Sequence, residues 1–153
     1  MKLTWIVAAL LFIAFVIVLN LVGPLKGSAP SDFPDDLQPD QNPLPECPGS
    51  PNCVRITKEL AVEPGVLFDI LPRVLEGMNA EEIDRDSQSL QTNAVFRIPV
   101  FGFRDDVSIL IEAENSTKSL LHLSSRSRTG HGDLGVNRRR VKTFMSTLNK
   151  HLN

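Results

Sequence analysis

The chain has 153 residues, 16 Lys or Arg against 18 Asp or Glu, and 42% apolar residues. That average conceals two materials, because 19 of the first 22 residues are apolar against 45 of the remaining 131. The length suits one ordinary domain, and the composition excludes a multi-span transporter, a fully disordered chain and a large multidomain enzyme. It names no reaction.

Leu3–Val22 is a run of 20 residues without a charge, interrupted only by Thr4 and Asn20. At about 1.5 Å per residue, such a helix spans about 30 Å, the thickness of a bilayer core. Lys2 precedes the run, and after Lys26 five acids follow within Ser28–Glu46. This asymmetry predicts a single-pass anchor over 3–22 with a cytoplasmic amino terminus and the body translocated, periplasmic in a Gram-negative cell. The alternative is a cleaved signal peptide ending at Gly27-Ser28-Ala29. That run is longer than signal peptides use, and Pro30 would follow the cut.

Eight of the eleven prolines fall between Gly23 and Pro51. Residues 23–46 show no apolar period and read as a semi-extended tether, so the folded domain is expected over 47–153. Cys47 and Cys53 bracket Pro-Gly-Ser-Pro-Asn. Outside the cytoplasm a local disulfide is expected; free thiols or part of a zinc site are the alternatives, although a second Cys or His pair is missing nearby.

Pro64–Asn79 carries apolar residues at 66, 67, 70, 71, 74, 75 and 78, one face of a helix that Pro72 is expected to kink or divide. Leu90 to Phe96 alternates as a half-buried strand, with a weaker candidate around Ile83. Phe101–Ala113 is the better strand, its odd-numbered apolar positions sharing one face, and Ser119–Arg126 reads as its antiparallel partner. Val141, Phe144, Met145, Leu148 and Leu152 then repeat at helical spacing. The pattern predicts an α+β fold: an antiparallel sheet of three or four strands covered by two helices.

Charge is divided within the body. Cys47–Thr117 holds six bases and twelve acids, whereas Lys118–Asn153 holds eight bases and one acid, Asp133. The loop before the last helix concentrates this chemistry. Gly130, Gly132 and Gly135 allow close backbone approach, and Asp133 or Asn137 is placed to cap the helix. With Arg126, Arg128 and Arg140 around that helix start, the expected site is an anion pocket. The competing reading pairs the arginines with acids of Phe103-Arg104-Asp105-Asp106. Ser125 or Ser127, His122 or His131, and Asp105, Asp106 or Asp133 supply the residue types of a hydrolase. However, the chain has no nucleophile elbow, zincin helix, P-loop or dinucleotide fingerprint. Asp105 and Asp106, adjacent on a strand, point to opposite faces and form no dyad.

Three segments together resemble domain-of-unknown-function family 1499: Cys47-Pro-Gly-Ser-Pro-Asn-Cys-Val54, Phe103-Arg-Asp-Asp-Val107, and the long run from Ser125 to Arg140. The resemblance covers Glu46 to the carboxy terminus and implies a membrane-associated envelope protein with no established reaction or cofactor. Its motif positions include Cys47, Cys53, Arg104, Asp105, Asp106, Arg126, Arg128, Asp133, Gly135, Asn137 and Arg140. His131 falls at a variable place.

The expected function is therefore an anchored envelope domain that binds a protein partner or an anionic small ligand. Arg126, Arg128, Asp133, Asn137 and Arg140 would touch the ligand, while Arg104, Asp105, Asp106, Gly130 and Gly135 would order the loop. No catalytic residue, metal, cofactor or nucleic-acid partner is assigned. An envelope hydrolase built on 125–137 and a structural assembly factor are the alternatives.

Overall fold

The computed structural model describes residues 42–98 and 102–153, together with helical residues 10–12 and 14. Apart from those few positions, the expected membrane helix lies outside the described residues, as does the tether up to residue 41. Among the described residues no helix is long and apolar enough to cross a membrane.

The body runs β1 (Cys53–Leu60), α1 (Pro64–Gly77), β2 (Glu82–Asp86), β3 (Gln91–Arg97), β4 (Arg104–Ala113), β5 (Ser119–Ser127) and α2 (Val136–Leu152). The strands form one antiparallel sheet in the order β1-β5-β4-β3-β2. The fold is α+β as expected, but the sheet has five strands, not three or four. The extra strand is β1. Val54, Ile56 and Leu60 alternate with Arg55, Thr57 and Glu59, a period-2 signal overshadowed by the turn chemistry just before it.

The strand period decides which face each side chain joins. Ile56, Ala94, Phe96, Val107, Ile109, Ile111, Leu121 and Leu123 point to one face and form a continuous core with the helices. α1 contributes Leu67, Phe68, Leu71, Val74 and Leu75; α2 contributes Val141, Phe144 and Leu148. Both helices therefore cover the same face of the sheet. The opposite face carries the polar partners of the alternation.

Pro72 does not divide α1, which is a single helix of 14 residues. Proline removes the N–H that would have bonded the carbonyl of Phe68. Arg85 on β2 supplies a replacement: its Nη2 donates to Phe68 O at 3.0 Å, and its guanidinium lies 4.0 Å from the centre of the Phe68 ring. One arginine thus satisfies the orphaned carbonyl and covers the adjacent ring.

The packed body starts before Cys47. Asn42 Nδ2 donates to Ile56 O at 2.5 Å and Leu123 O at 3.4 Å, Arg55 Nη2 donates to Asn42 O at 2.7 Å, and Leu44 is buried. The end of the compositional tether is thereby fastened to the backbones of β1 and β5.

Cys47 and Cys53 form a disulfide with 5.5 Å between their Cα atoms, which decides among the alternatives for the two thiols. So short a loop removes about 2 kcal/mol of unfolded-chain entropy. The Cys47→Ser/Cys53→Ser pair is expected to lower unfolding free energy by about that amount in urea denaturation and to leave the fold intact.

Candidate functional site

The end of the sheet nearest the start of α2 carries a buried polar cluster where an apolar core would otherwise continue. Asp105 lies on the helix-facing side of β4, in phase with Val107, Ile109 and Ile111, and is 2% exposed. Asn137 occupies the core stripe of α2, four residues before Val141, and is fully buried. Arg140, one turn further along α2, meets both.

Arg140 Nη2 is 2.6 Å from Asp105 Oδ2, while its Nη1 donates to Asn137 Oδ1 at 2.6 Å and Ser125 Oγ at 3.1 Å. Its guanidinium also lies 4.9 Å from the centre of the Phe96 ring. The arginine side chain is only 8% exposed. A charge removed from water to this extent requires a compensating partner and further hydrogen bonds, and Arg140 has both.

Asn137 joins the first and third sequence motifs, and Arg140 brings in the second through Asp105. Asn137 Oδ1 also accepts from Ser125 Oγ at 2.6 Å. Its Nδ2 lies within bonding distance of Asn52 O (3.0 Å), Ser127 Oγ (3.0 Å) and Asp133 Oδ2 (2.8 Å). Asn52, inside the disulfide loop, donates from Nδ2 to Gly130 O at 2.7 Å. Its carbonyl also accepts Ser127 N at 3.0 Å. The Cys47–Cys53 loop is therefore fastened to the glycine loop across the end of β5.

Asp133 caps α2, as one of the two sequence alternatives expected. Gly135 holds the N-cap position and has no side chain to offer, so Asp133 reaches past it. Its Oδ1 accepts Gly135 N at 2.9 Å and its Oδ2 accepts Asn137 N at 2.8 Å. Two helix-start N–H groups are thus satisfied from outside the helix. Asn137, the other candidate cap, lies within α2 instead.

This cap imposes an unusual backbone. Gly130 and Gly135 have φ of 87° and 75°, but the third left-handed residue of the loop is Leu134, at 52°. Gly132 is not among the left-handed positions. A leucine pays a steric cost there that glycine avoids, and such strain persists only where surrounding contacts enforce it. Leu134 is also 72% exposed.

Beside it lies a cleft of about 250 Å³, with Ile98, Phe103, Leu134 and Val136 as apolar walls. Asp105, Asp133, Ser127 and Thr129 are its polar lining residues. Phe103 is 54% exposed. Asp105 uses Oδ2 for Arg140, and its Oδ1 makes no hydrogen bond among the described residues.

The sheet separates the arginines that sequence spacing grouped together. Arg126 and Arg128 fall on the even phase of β5 and its continuation, on the open face; Arg140 lies on the helix face. Arg128 grips Asp106 through Nε at 2.9 Å and Nη2 at 2.8 Å, and this contact holds its guanidinium pKa above the ordinary value. Arg104 donates from Nε to Glu81 at 2.9 Å, a bond that holds the Glu81 carboxyl below its usual range. The backbone carbonyl of Arg104 also accepts Arg128 N. Asp105 and Asp106 do face opposite sides, each paired with a different arginine.

Of the hydrolase residue types, Ser127, Asp105 and Asp133 line one cleft, but neither His122 nor His131 lines it. Ser125 and Ser127 bond to Asn137, whereas His122 lies on the open face with Nδ1 2.9 Å from Thr57 Oγ1 and Nε2 3.3 Å from Glu112. His131 is exposed in the loop. Asn52 and Phe96 are the participants that sequence reading did not single out. Asn52 was visible as the residue between proline and cysteine in the first motif; the arginine–ring contact of Phe96 had no linear signal.

The model of the family described as protein of unknown function (DUF1499) matches residues 43–148, which include the disulfide loop, the sheet, the buried cluster and most of α2. The chain belongs to the DUF1499 family. No curated protein matches the chain. Among solved structures, this DUF1499 domain is similar to the di-domain ARO/CYC BexL from the BE-7585A biosynthetic pathway. The TM-score is 0.50 at 6% identity, covering 65% of this chain and 46% of that one. The chain thus spans less than half the length of BexL, and the likeness is one of fold alone. A START superfamily protein from Mycobacterium smegmatis matches with a TM-score of 0.37 at 14% identity, covering 65% of this chain and 93% of the other.

Proposed function

We propose that this DUF1499 protein is a membrane-tethered envelope protein whose extracytoplasmic domain binds a ligand without transforming it. The cleft beside Leu134 is its binding site. The observation carrying this reading is Leu134 itself, an exposed apolar side chain held at positive φ by a buried hydrogen-bonded support. Strain of this kind recurs at ligand clamps, and a hydrogen-bonded assembly lies beneath it.

The lining selects the ligand chemistry. Four apolar walls with two carboxylates and two hydroxyl residues suit an apolar body ending in an amine, not the anion expected from the loop's arginines. The tether rests on the apolar run at 3–22 and on Leu10, Leu11 and Phe12, whose side chains are largely exposed to solvent. A bilayer would cover that surface.

Two probes sharing one skeleton test the reading. In a titration of the full chain in nanodiscs followed by amide shifts, 2-phenylethylamine is expected to perturb Phe103, Leu134 and Val136 saturably. 3-Phenylpropionate is expected to bind at least about tenfold more weakly because it places a carboxylate against Asp105 and Asp133. Equal binding of the two, or shifts elsewhere only, contradicts the assignment.

A further inference from the structure

The open face of the sheet carries a second concave region, about 280 Å³ in volume, on the side of β4 and β5 away from the helices. Its floor includes Asn93, Ser108 and Ser124, with Pro45 at its border. Cross-strand register explains its position: Asp106 faces both Val95 and Arg126, while Ser108 faces both Asn93 and Ser124. The row continues to the edge strand, where Glu82 pairs with Val95 and Asp84 with Asn93.

The charges in this groove are unevenly satisfied. Asp106 is taken by the two-bond grip of Arg128. The guanidinium of Arg126, directly opposite Asp106 in register, makes no hydrogen bond or ion pair among the described residues. The carboxylates of Glu82 and Asp84, both exposed on β2, likewise make no hydrogen bond or ion pair among the described residues, although Glu82 is near enough to Arg128 to help raise that guanidinium's pKa. One cation on β5 and two carboxylates on β2, none of them in a hydrogen bond or ion pair among the described residues, therefore line opposite sides of one polar depression. With about 4.8 Å between neighbouring strands, their backbones are about 14 Å apart, too far for a direct pair to be the default but close enough for one small molecule to meet both.

We propose that this groove binds a small zwitterion with a phosphate or carboxylate at one end and a primary ammonium at the other. Arg126 takes the anion, Glu82 and Asp84 take the ammonium, and Ser108, Ser124 and Asn93 serve as neutral hydrogen-bonding groups beneath. A guanidinium matches an oxyanion through paired N–H donors, and an ammonium offers three donors to carboxylates. This site is separate from the Leu134 cleft, so either assignment can fail without the other. Phosphoethanolamine has this chemistry both as a soluble ester and as a lipid headgroup.

The test uses the full chain in phosphatidylcholine nanodiscs, titrated with glycerophosphoethanolamine and followed by amide chemical shifts. Saturable shifts are expected at Asn93, Ser108 and Ser124. Arg126→Gln and the Glu82→Gln/Asp84→Asn pair are each expected to weaken binding at least about tenfold, the order expected for a lost charge-assisted contact. Leu134→Ser is expected to leave it unchanged. Glycerol 3-phosphate or ethanolamine binding as tightly as the complete probe overturns the proposal, as does unsaturable binding or an unaffected Arg126→Gln variant. Exchanging the disc lipid for phosphatidylethanolamine identifies the source. The same shifts without added probe assign a headgroup, and shifts with the soluble probe alone assign a free metabolite; either agrees with the proposal.

Discussion

Arg140→Ala is expected to destabilise the domain by about 3–5 kcal/mol, the cost of leaving a buried charge without its partner. The variant strands Asp105, which is 2% exposed, and deprives Asn137 Oδ1 and Ser125 of a charged donor. Urea denaturation of the full chain measures the loss. Arg128→Ala is the control, because Arg128 forms a pair of similar geometry with Asp106 in an exposed setting. An ion pair this exposed contributes little to stability, so the two variants differ sharply although sequence places both arginines in one group.

Asn137→Ala is the second large effect, expected at about 3 kcal/mol. The amide meets Ser125, Ser127, Arg140, Asp133 and the carbonyl of Asn52, and alanine leaves those buried groups short of partners. Better helix propensity offsets only about 0.5 kcal/mol of this. The loss is also local. Asn137 connects α2 to the disulfide loop, so amide exchange at Ser127 and Gly135 should accelerate more than exchange at Leu121 or Val141. Uniform acceleration instead indicates that Asn137 supports only global stability.

The core was legible wherever periodicity carried it. The α2 stripe, the alternation of β3 and the odd-numbered face of β4 all appear in the fold. What was missed follows from reading those periods through apolar residues alone. Asp105 stands in phase with Val107, and Asn137 in phase with Val141, so both were marked as inward-facing by position while their polarity suggested a loop role. β1 was missed because a disulfide turn and a proline run precede it. The arginine grouping failed for a different reason: residues two apart on a strand share a face, but a helix arginine arrives from the other side of the sheet. The long final motif is therefore largely a structural assembly, and among the described residues Arg126 is its arginine without a side-chain hydrogen bond or ion pair.

This division gives the loop its character. Asp133, Gly135 and Asn137 fix the start of α2, Arg140 and Asp105 close the space below, and Leu134 is presented above a cleft. The charged residues that made an anion site plausible are mostly committed to one another.

A double-mutant cycle on Arg140 and Asp105 tests this inward commitment most directly. Arg140→Met and Asp105→Leu are each expected to cost about 3–5 kcal/mol alone, while the combined variant recovers most of that loss because no buried charge remains unpaired. If the single variants leave stability unchanged and their effects simply add, Arg140 is not a structural partner of Asp105, and the buried assembly does not hold the loop.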